Sequence, residues 1–160
     1  ATSILNRESG SNPYLMHEEL QGNMQKNVGI VRTEEELKSG IDNIEKLKVD
    51  LANVKAPGAS QFNPGWHEAL GMRNLLITAE AVARAALQRQ ESRGAHTRLD
   101  YPGERDEWLV YNNVISKGSD GNMKVNKTER SEPDADLKRI AESSIEKLEV
   151  EVLNERTEKV

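Results

Sequence analysis

The chemistry-bearing residues of this chain concentrate in one segment, Glu91-Ser92-Arg93-Gly94-Ala95-His96-Thr97-Arg98-Leu99-Asp100-Tyr101-Pro102, which sets two arginines, an imidazole and two carboxylates within a dozen positions. Arg93 and Arg98 offer planar, five-donor guanidinium groups suited to carboxylates, backbone carbonyls or the acids of a neighbouring domain. Gly94 permits a left-handed backbone at a helix end. Two readings stand side by side: a hydrogen-bonded corner that fixes a turn, and a contact surface for a substrate or another domain.

Elsewhere the residues argue against a self-contained enzyme. There is no G-x-G-x-x-G, no Walker loop and no cysteine, which removes disulfides, thiolate metal sites and cysteine nucleophiles together. Localisation by default is cytoplasmic, since a chain without cysteine suits a reducing compartment. His17, His67 and His96 fall on different predicted elements without metal-ligand spacing, so no metal site is expected. Glu34, Glu35 and Glu36 fit the first turn of a helix, where negative charge complements the dipole. No catalytic and no cofactor-binding residue is assigned.

The elements that must position the Glu91–Pro102 segment follow from spacing. In 160 residues there are 22 Lys+Arg against 27 Asp+Glu, a net charge of −5, and only 4% aromatics. That length supports one modest core, removing roughly 68–70% of the unfolded surface from water. The acidic balance excludes nucleic acid as a partner, and no apolar run reaches the roughly 20 residues of a membrane span. The first ten residues lack a basic-then-apolar signal pattern. Asn12-Pro13 starts a helix whose face is Leu15, Met16, Leu20, Met24 and Val28, ending at Gly29. Thr33 and Glu36 form a capping box ahead of Leu37, Ile41, Ile44, Leu47, Leu51 and Val54. Asn63-Pro64 opens a third helix through Trp66, Ala69 and Leu70. Gly71 is a candidate interruption before Leu75, Leu76, Ala79, Val82, Ala83, Ala86 and Leu87, and Gly94 is the expected stop. Three antiparallel helices result. Residues 108–115 and 123–128, joined by Ser119-Asp120-Gly121-Asn122, read as a hairpin that should lie on the helices or on something missing. From Pro133 one charged helix carries Leu137, Ile140, Ile145, Leu148 and Val152.

The segment also carries a family resemblance. Glu91-Ser92-Arg93-Gly94-Ala95-His96, then Arg98, Asp100, Tyr101 and Pro102, then Arg105-Asp106-Glu107-Trp108, resembles the C-terminal domain of succinate dehydrogenase and fumarate reductase flavoprotein subunits. Upstream, Glu19-Leu20-Gln21, Met24-Gln25-Lys26-Asn27-Val28-Gly29, Arg32-Thr33-Glu34-Glu35 and Phe62-Asn63-Pro64 follow in the family's order, so the resemblance covers Asn12 to Thr128 and stops there. Aspartate oxidases share a similar Ser-Arg-Gly-x-His corner; Glu-Arg-Asp-Glu-Trp and the hairpin favour the dehydrogenase.

The resemblance implies a mainly α fold, a spectrin-like antiparallel three-helix bundle with its N-terminal lead-in (1–94) followed by a small meandering segment, which the residues give as a β-hairpin segment packed on the bundle (95–130); the C-terminal charged helix (131–160) is read from the residues alone, past the point where the resemblance stops. It implies a scaffold within an enzyme that interconverts succinate and fumarate at FAD, with FAD held in upstream domains and none in this segment. The implied partners are the flavin-binding and capping domains of the same chain and an iron–sulfur subunit, with no direct membrane insertion. The implied location is cytoplasmic, peripheral to the cytoplasmic membrane through the parent complex. Arg93, His96 and Arg98 match residue by residue, and their implied role is interdomain docking. The alternatives are the C-terminal domain of an L-aspartate oxidase and a stand-alone helical interaction module. The abrupt start, Thr2-Ser3-Ile4 without an initiator Met, is what an excised domain would show.

Overall fold

The computed structural model describes residues 2–157, which fall into two compact units divided between Thr128 and Glu129. In the first unit three long helices, α1 (Pro13–Asn27), α2 (Glu34–Asp50) and α3 (Pro64–Gln88), each pack on the other two. Asn12 and Asn63 cap α1 and α3 through side-chain oxygens that accept the N–H groups of Tyr14 and Trp66, each with Pro at the first helical position. Thr33 and Glu36 close the capping box of α2 reciprocally. Asn23 bonds Asn43 while Asn27 lies beside Gly40, and Glu80 meets Lys48 while Arg84 meets Glu45, so contact positions rise on one helix as they fall on its neighbour. The α1–α2 and α2–α3 pairs are therefore antiparallel.

The core is aliphatic: Met16 and Leu20 from α1, Leu37, Ile41, Ile44 and Leu47 from α2, and Ala69, Met72, Leu76, Ala79, Ala83 and Ala86 from α3. On α3 the buried positions step by three and four, and their alanines let the helices approach closely. This face differs from the expected stripe, because Leu70, Leu75 and Val82 are exposed, as is Leu15 on α1. The buried side of α1 takes Asn23 and Asn27 instead. Asn23 Nδ2 donates to Gly40 O at 2.9 Å and its Oδ1 accepts Asn27 and Asn43, so the polar atoms are paired inside the bundle. Val54 is buried too, but beyond α2, after a 3-10 turn over Leu51–Asn53.

Two further boundaries depart from expectation. Gly71 does not interrupt α3, which runs unbroken through it, and the helix stops at Gln88 rather than Gly94. A two-residue parallel pairing, invisible in the sequence, joins β1 (Val31–Arg32) to β2 (Thr97–Arg98). Trp108 is not in a strand; it ends a 3-10 turn over Asp106–Trp108 and is 3% exposed. The hairpin itself, β3 (Tyr111–Lys117) and β4 (Met123–Glu129), lies against α3, where Asn113 Nδ2 donates to Ala85 O at 3.0 Å. Gly121, at φ +84, supplies the left-handed position of its turn.

In the second unit the single expected helix is two, α4 (Ala135–Glu142) and α5 (Ile145–Thr157). Ser143 and Ser144 break it: Ser143 Oγ donates to Arg139 O at 2.7 Å in extended backbone, and Ser144 Oγ accepts Lys147 N–H at 3.4 Å as the next N-cap. Arg139 pairs with Glu151 at 2.8 Å. Leu137, Ile140 and Ile145 are exposed, while the side chain of Val152 lies outside the described residues.

Candidate functional site

An ionic corner forms where the end of α3 meets the start of α2. Ser92 begins it: its Oγ accepts Arg98 N–H at 2.8 Å and lies 2.9 Å from Tyr101 O, drawing the segment into a loop. Arg93 and His96 exchange both backbone bonds across a tight two-residue turn, and Gly94 takes φ +56 at its first position.

Arg98 occupies the centre and is 0% exposed. Its Nη1 donates toward the carbonyls of Ala86 and Leu87 at 3.1 Å and lies 3.4 Å from Arg89 O, satisfying the last turn of α3. Its other edge makes a two-pronged pair with Asp100, at 2.8 and 2.7 Å. Asp100 in turn accepts the Glu34 N–H at 2.9 Å, the first of α2. One ion pair thus sets a cation on the negative end of α3 and an anion on the positive end of α2. The Arg98 guanidinium holds the Asp100 carboxyl down at about 2. This explains why α3 ends before Gly94: its cap comes from a side chain ten residues further on.

A second node centres on Glu91, whose side chain is fully buried. Arg89 donates to it at 2.7 Å, Arg93 at 3.2 and 3.3 Å, and the Arg105 N–H at 2.9 Å. Burial pushes the Glu91 carboxyl upward, but the bonds from Arg93, Arg105 and Arg89 prevail and bring it to about 2. Arg93 reaches outward as well, to Glu104 at 2.7 Å. Around this node Arg98 and Arg105 lie over the Tyr101 ring, and Lys127 sits 3.8 Å from the centroid of Trp108.

His96 is half-buried and fixed in one tautomer. Its Nε2 is 3.0 Å from Arg89 O, so it donates there, and Nδ1 accepts from Arg32 Nη2 at 2.7 Å. Burial lowers its pKa, and the cations Arg32, Arg98 and Arg89 lower it further against the opposing bond to Arg89 O. Arg32 also donates to Val28 O at 2.9 Å.

The structure therefore brings Arg93, His96 and Arg98 into one corner but gives them unequal exposure: Arg93 faces outward, His96 is half-covered and Arg98 is enclosed. Asp100, one of the two carboxylates that the sequence placed in this segment, is the one that pairs with Arg98, while Arg32 and Glu34 complete the corner from the α1–α2 connection and sequence reasoning assigned them no role there. Of the three histidines, His17 pairs with Glu68 at 2.5 Å across α1 and α3 and the His67 ring lies tilted 5.5 Å from that of Trp66, both away from the corner. Among the described residues no group of three His, Cys, Asp or Glu could hold a metal ion, and no helix is long and apolar enough to cross a membrane.

A three-helix bundle with an ionic corner that ties the end of α3 to the start of α2 is the class of protein that this geometry defines. The family model described as "Fumarate reductase flavoprotein C-term" matches residues 17–155, and the chain belongs to that family, the C-terminal domain of succinate dehydrogenase and fumarate reductase flavoprotein subunits. The match continues through the tail, past Thr128, where the resemblance legible in the sequence stops. The chain is 40% identical over 102 residues to a fumarate reductase (CoM/CoB) subunit of Methanothermobacter marburgensis, covering 64% of this chain and 19% of that protein. It is 40% identical over 103 residues to the succinate dehydrogenase flavoprotein subunit of Coxiella burnetii, 62% of this chain and 17% of that one. Among solved structures, the Mycobacterium smegmatis Sdh1 complex in its apo form superimposes with a TM-score of 0.76 at 40% identity, over 83% of this chain and 23% of that one. A quinol–fumarate reductase with menaquinol molecules superimposes at 0.73 and 25% identity, over 84% of this chain and 24% of that one. The chain thus spans about a fifth of the length of the curated relatives it matches.

Proposed function

We propose that this chain is the non-catalytic scaffold of an FAD-dependent flavoprotein subunit that interconverts succinate and fumarate, with the flavin and the reacting substrate held by upstream domains of the same polypeptide. The observation that carries this reading is the family match over 17–155 combined with a share of about a fifth of the relatives. The corner supports it: every strongly perturbed carboxylate there is depressed by arginines into a permanent anion, the opposite of the raised pKa that a general acid needs. FAD chemistry supplies the hydride transfer; the residues of this chain fold, orient and cover.

The docking surface for the flavin-binding and capping domains is the corner that holds Arg93, His96 and Arg98. Arg93 presents the outward charge, His96 links the α1–α2 connection to the turn, and Arg98 positions both from inside. An iron–sulfur subunit completes the assembly, and the location is cytoplasmic, peripheral to the membrane through that complex.

In the full-length flavoprotein, Arg93→Ala with Arg98→Ala should lower flavin retention, thermal stability and succinate turnover together; unchanged values in all three would refute the docking role. The 160-residue chain alone should retain no flavin through gel filtration and oxidise no succinate, and a yellow, flavin-bearing chain would overturn the scaffold reading.

A further inference from the structure

Away from the corner, the tip of the hairpin leaves a cleft against α2 and α3, wholly inside the first unit. Asn113 reaches Ala85 O from β3, and Ile115 and Lys117 follow it at steps of two, on the same face of the strand. With Met123 of β4 they cover a cavity of about 520 Å³ whose opposite wall is Leu76 and Ile77 of α3. That volume falls in the range of small-molecule sites. The apolar wall is open to an occupant, since Ile77 is 45% exposed and Ile115 38%.

Three cations, Lys48, Arg73 and Lys117, line this cleft against one carboxylate, Glu80. Both Glu80 oxygens are already occupied, Oε2 by Lys48 at 2.9 Å and Oε1 by Arg84 at 2.7 Å. Lys48 is thereby satisfied, whereas Arg73 and Lys117 have no ion pair or hydrogen bond among the described residues. Arg73 precedes Ile77 by four positions, so the two share one side of α3. In a chain of net charge −5, an aliphatic cleft with two uncommitted cations concentrates positive potential where an apolar body can rest. No aromatic ring among the described residues lines it, so nothing there would stack a nucleobase.

We propose that this cleft is a binding site for a small aliphatic carboxylate of the free fatty-acid class, its head held by Arg73 and Lys117 and its chain lying on Ile77, Ile115 and Met123. The occupant follows from charge complementarity for the head and from the aliphatic wall for the body. The site is separate from the ionic corner, whose arginines are bound to Glu91 and Asp100, and the proposal does not depend on the scaffold reading.

The test is calorimetric titration of the native polypeptide containing this sequence with decanoate. One saturable site is expected, with acetate and decyltrimethylammonium binding about tenfold more weakly or worse, because the first lacks the apolar body and the second reverses the charge. Arg73→Gln with Lys117→Gln should weaken decanoate by about tenfold, and Ile77→Asn should weaken it as well. All three side chains are exposed, so these variants leave the core intact. Should a variant fail to fold, decanoate carrying a terminal diazirine decides on unmodified protein: after illumination the label must lie in peptides spanning 73–77 or 115–123. Decanoate affinity that the variants leave unchanged, equal affinity for the three probes, label elsewhere, or capture by anionic phospholipid vesicles without binding of free decanoate would each refute the site. Flavin content decides the scaffold reading alone and leaves this test standing.

Discussion

At the residue scale Arg98 bears the most weight, because one guanidinium terminates α3 and, through Asp100, caps α2. Replacing Arg98 with Ala leaves carbonyls of Ala86 and Leu87 without their donor and Asp100 without its partner, and should cost about 3 kcal/mol in chemical denaturation. Lysine at the same position cannot fork between carbonyls and carboxylate, so Arg98→Lys should recover less than half of that loss. The titrating groups give the corner a signed pH dependence. His96 is held neutral in the folded state, so its contribution is present above its ordinary value of 6.5 and fades as pH falls through its depressed one. Glu91 and Asp100 contribute fully above their ordinary values of 4.5 and 3.8 and lose that contribution as pH falls toward about 2. Urea midpoints should therefore decline in two stages on acidification, and His96→Gln should remove the upper stage alone. A midpoint that is flat from neutrality to pH 5 in the wild type would contradict the assignment of a neutral His96.

At the scale of elements, packing tightness differs sharply from one glycine to another. A Cβ on Gly40 would lie 2.9 Å from Val28 Cγ2 and 3.1 Å from Asn27 Cβ, at the α1–α2 contact where Gly40 O also accepts Asn23. Gly40→Ala should destabilise the chain by roughly 1–3 kcal/mol, as overpacking does. Gly71 lies inside α3 with nothing within 4 Å of the added carbon, so Gly71→Ala should stabilise by up to about 1 kcal/mol. Opposite shifts in the two melting temperatures check both claims. The same elements show what the chain made legible. The start and face of α2 were readable because capping box and apolar period coincide from Thr33 to Leu47. The end of α3 was not, since its cap is Arg98 and not the nearby Gly94. On α1 the apolar residues misled at Leu15, and the buried Asn23 is explained only by a carbonyl on α2. In the tail the adjacent Ser143 and Ser144 were a visible signal for a break.

At the scale of the whole molecule, the residues of the corner were legible as a cluster and the family followed from their order. Their division of labour was not, because the Arg32–His96 bond spans 64 positions and Glu91 sinks beneath arginines that the sequence shows only as neighbours. Helical face, ionic corner and hairpin belong to one unit, while the chain accounts for only 17–19% of the curated relatives. The central claim is that this body serves a larger flavoenzyme. The intact mass and flavin content of the native polypeptide containing this sequence, purified from its source, test it most directly. A flavin-bearing chain several times heavier than 17.9 kDa is the predicted result; a flavin-free chain near 17.9 kDa would contradict it.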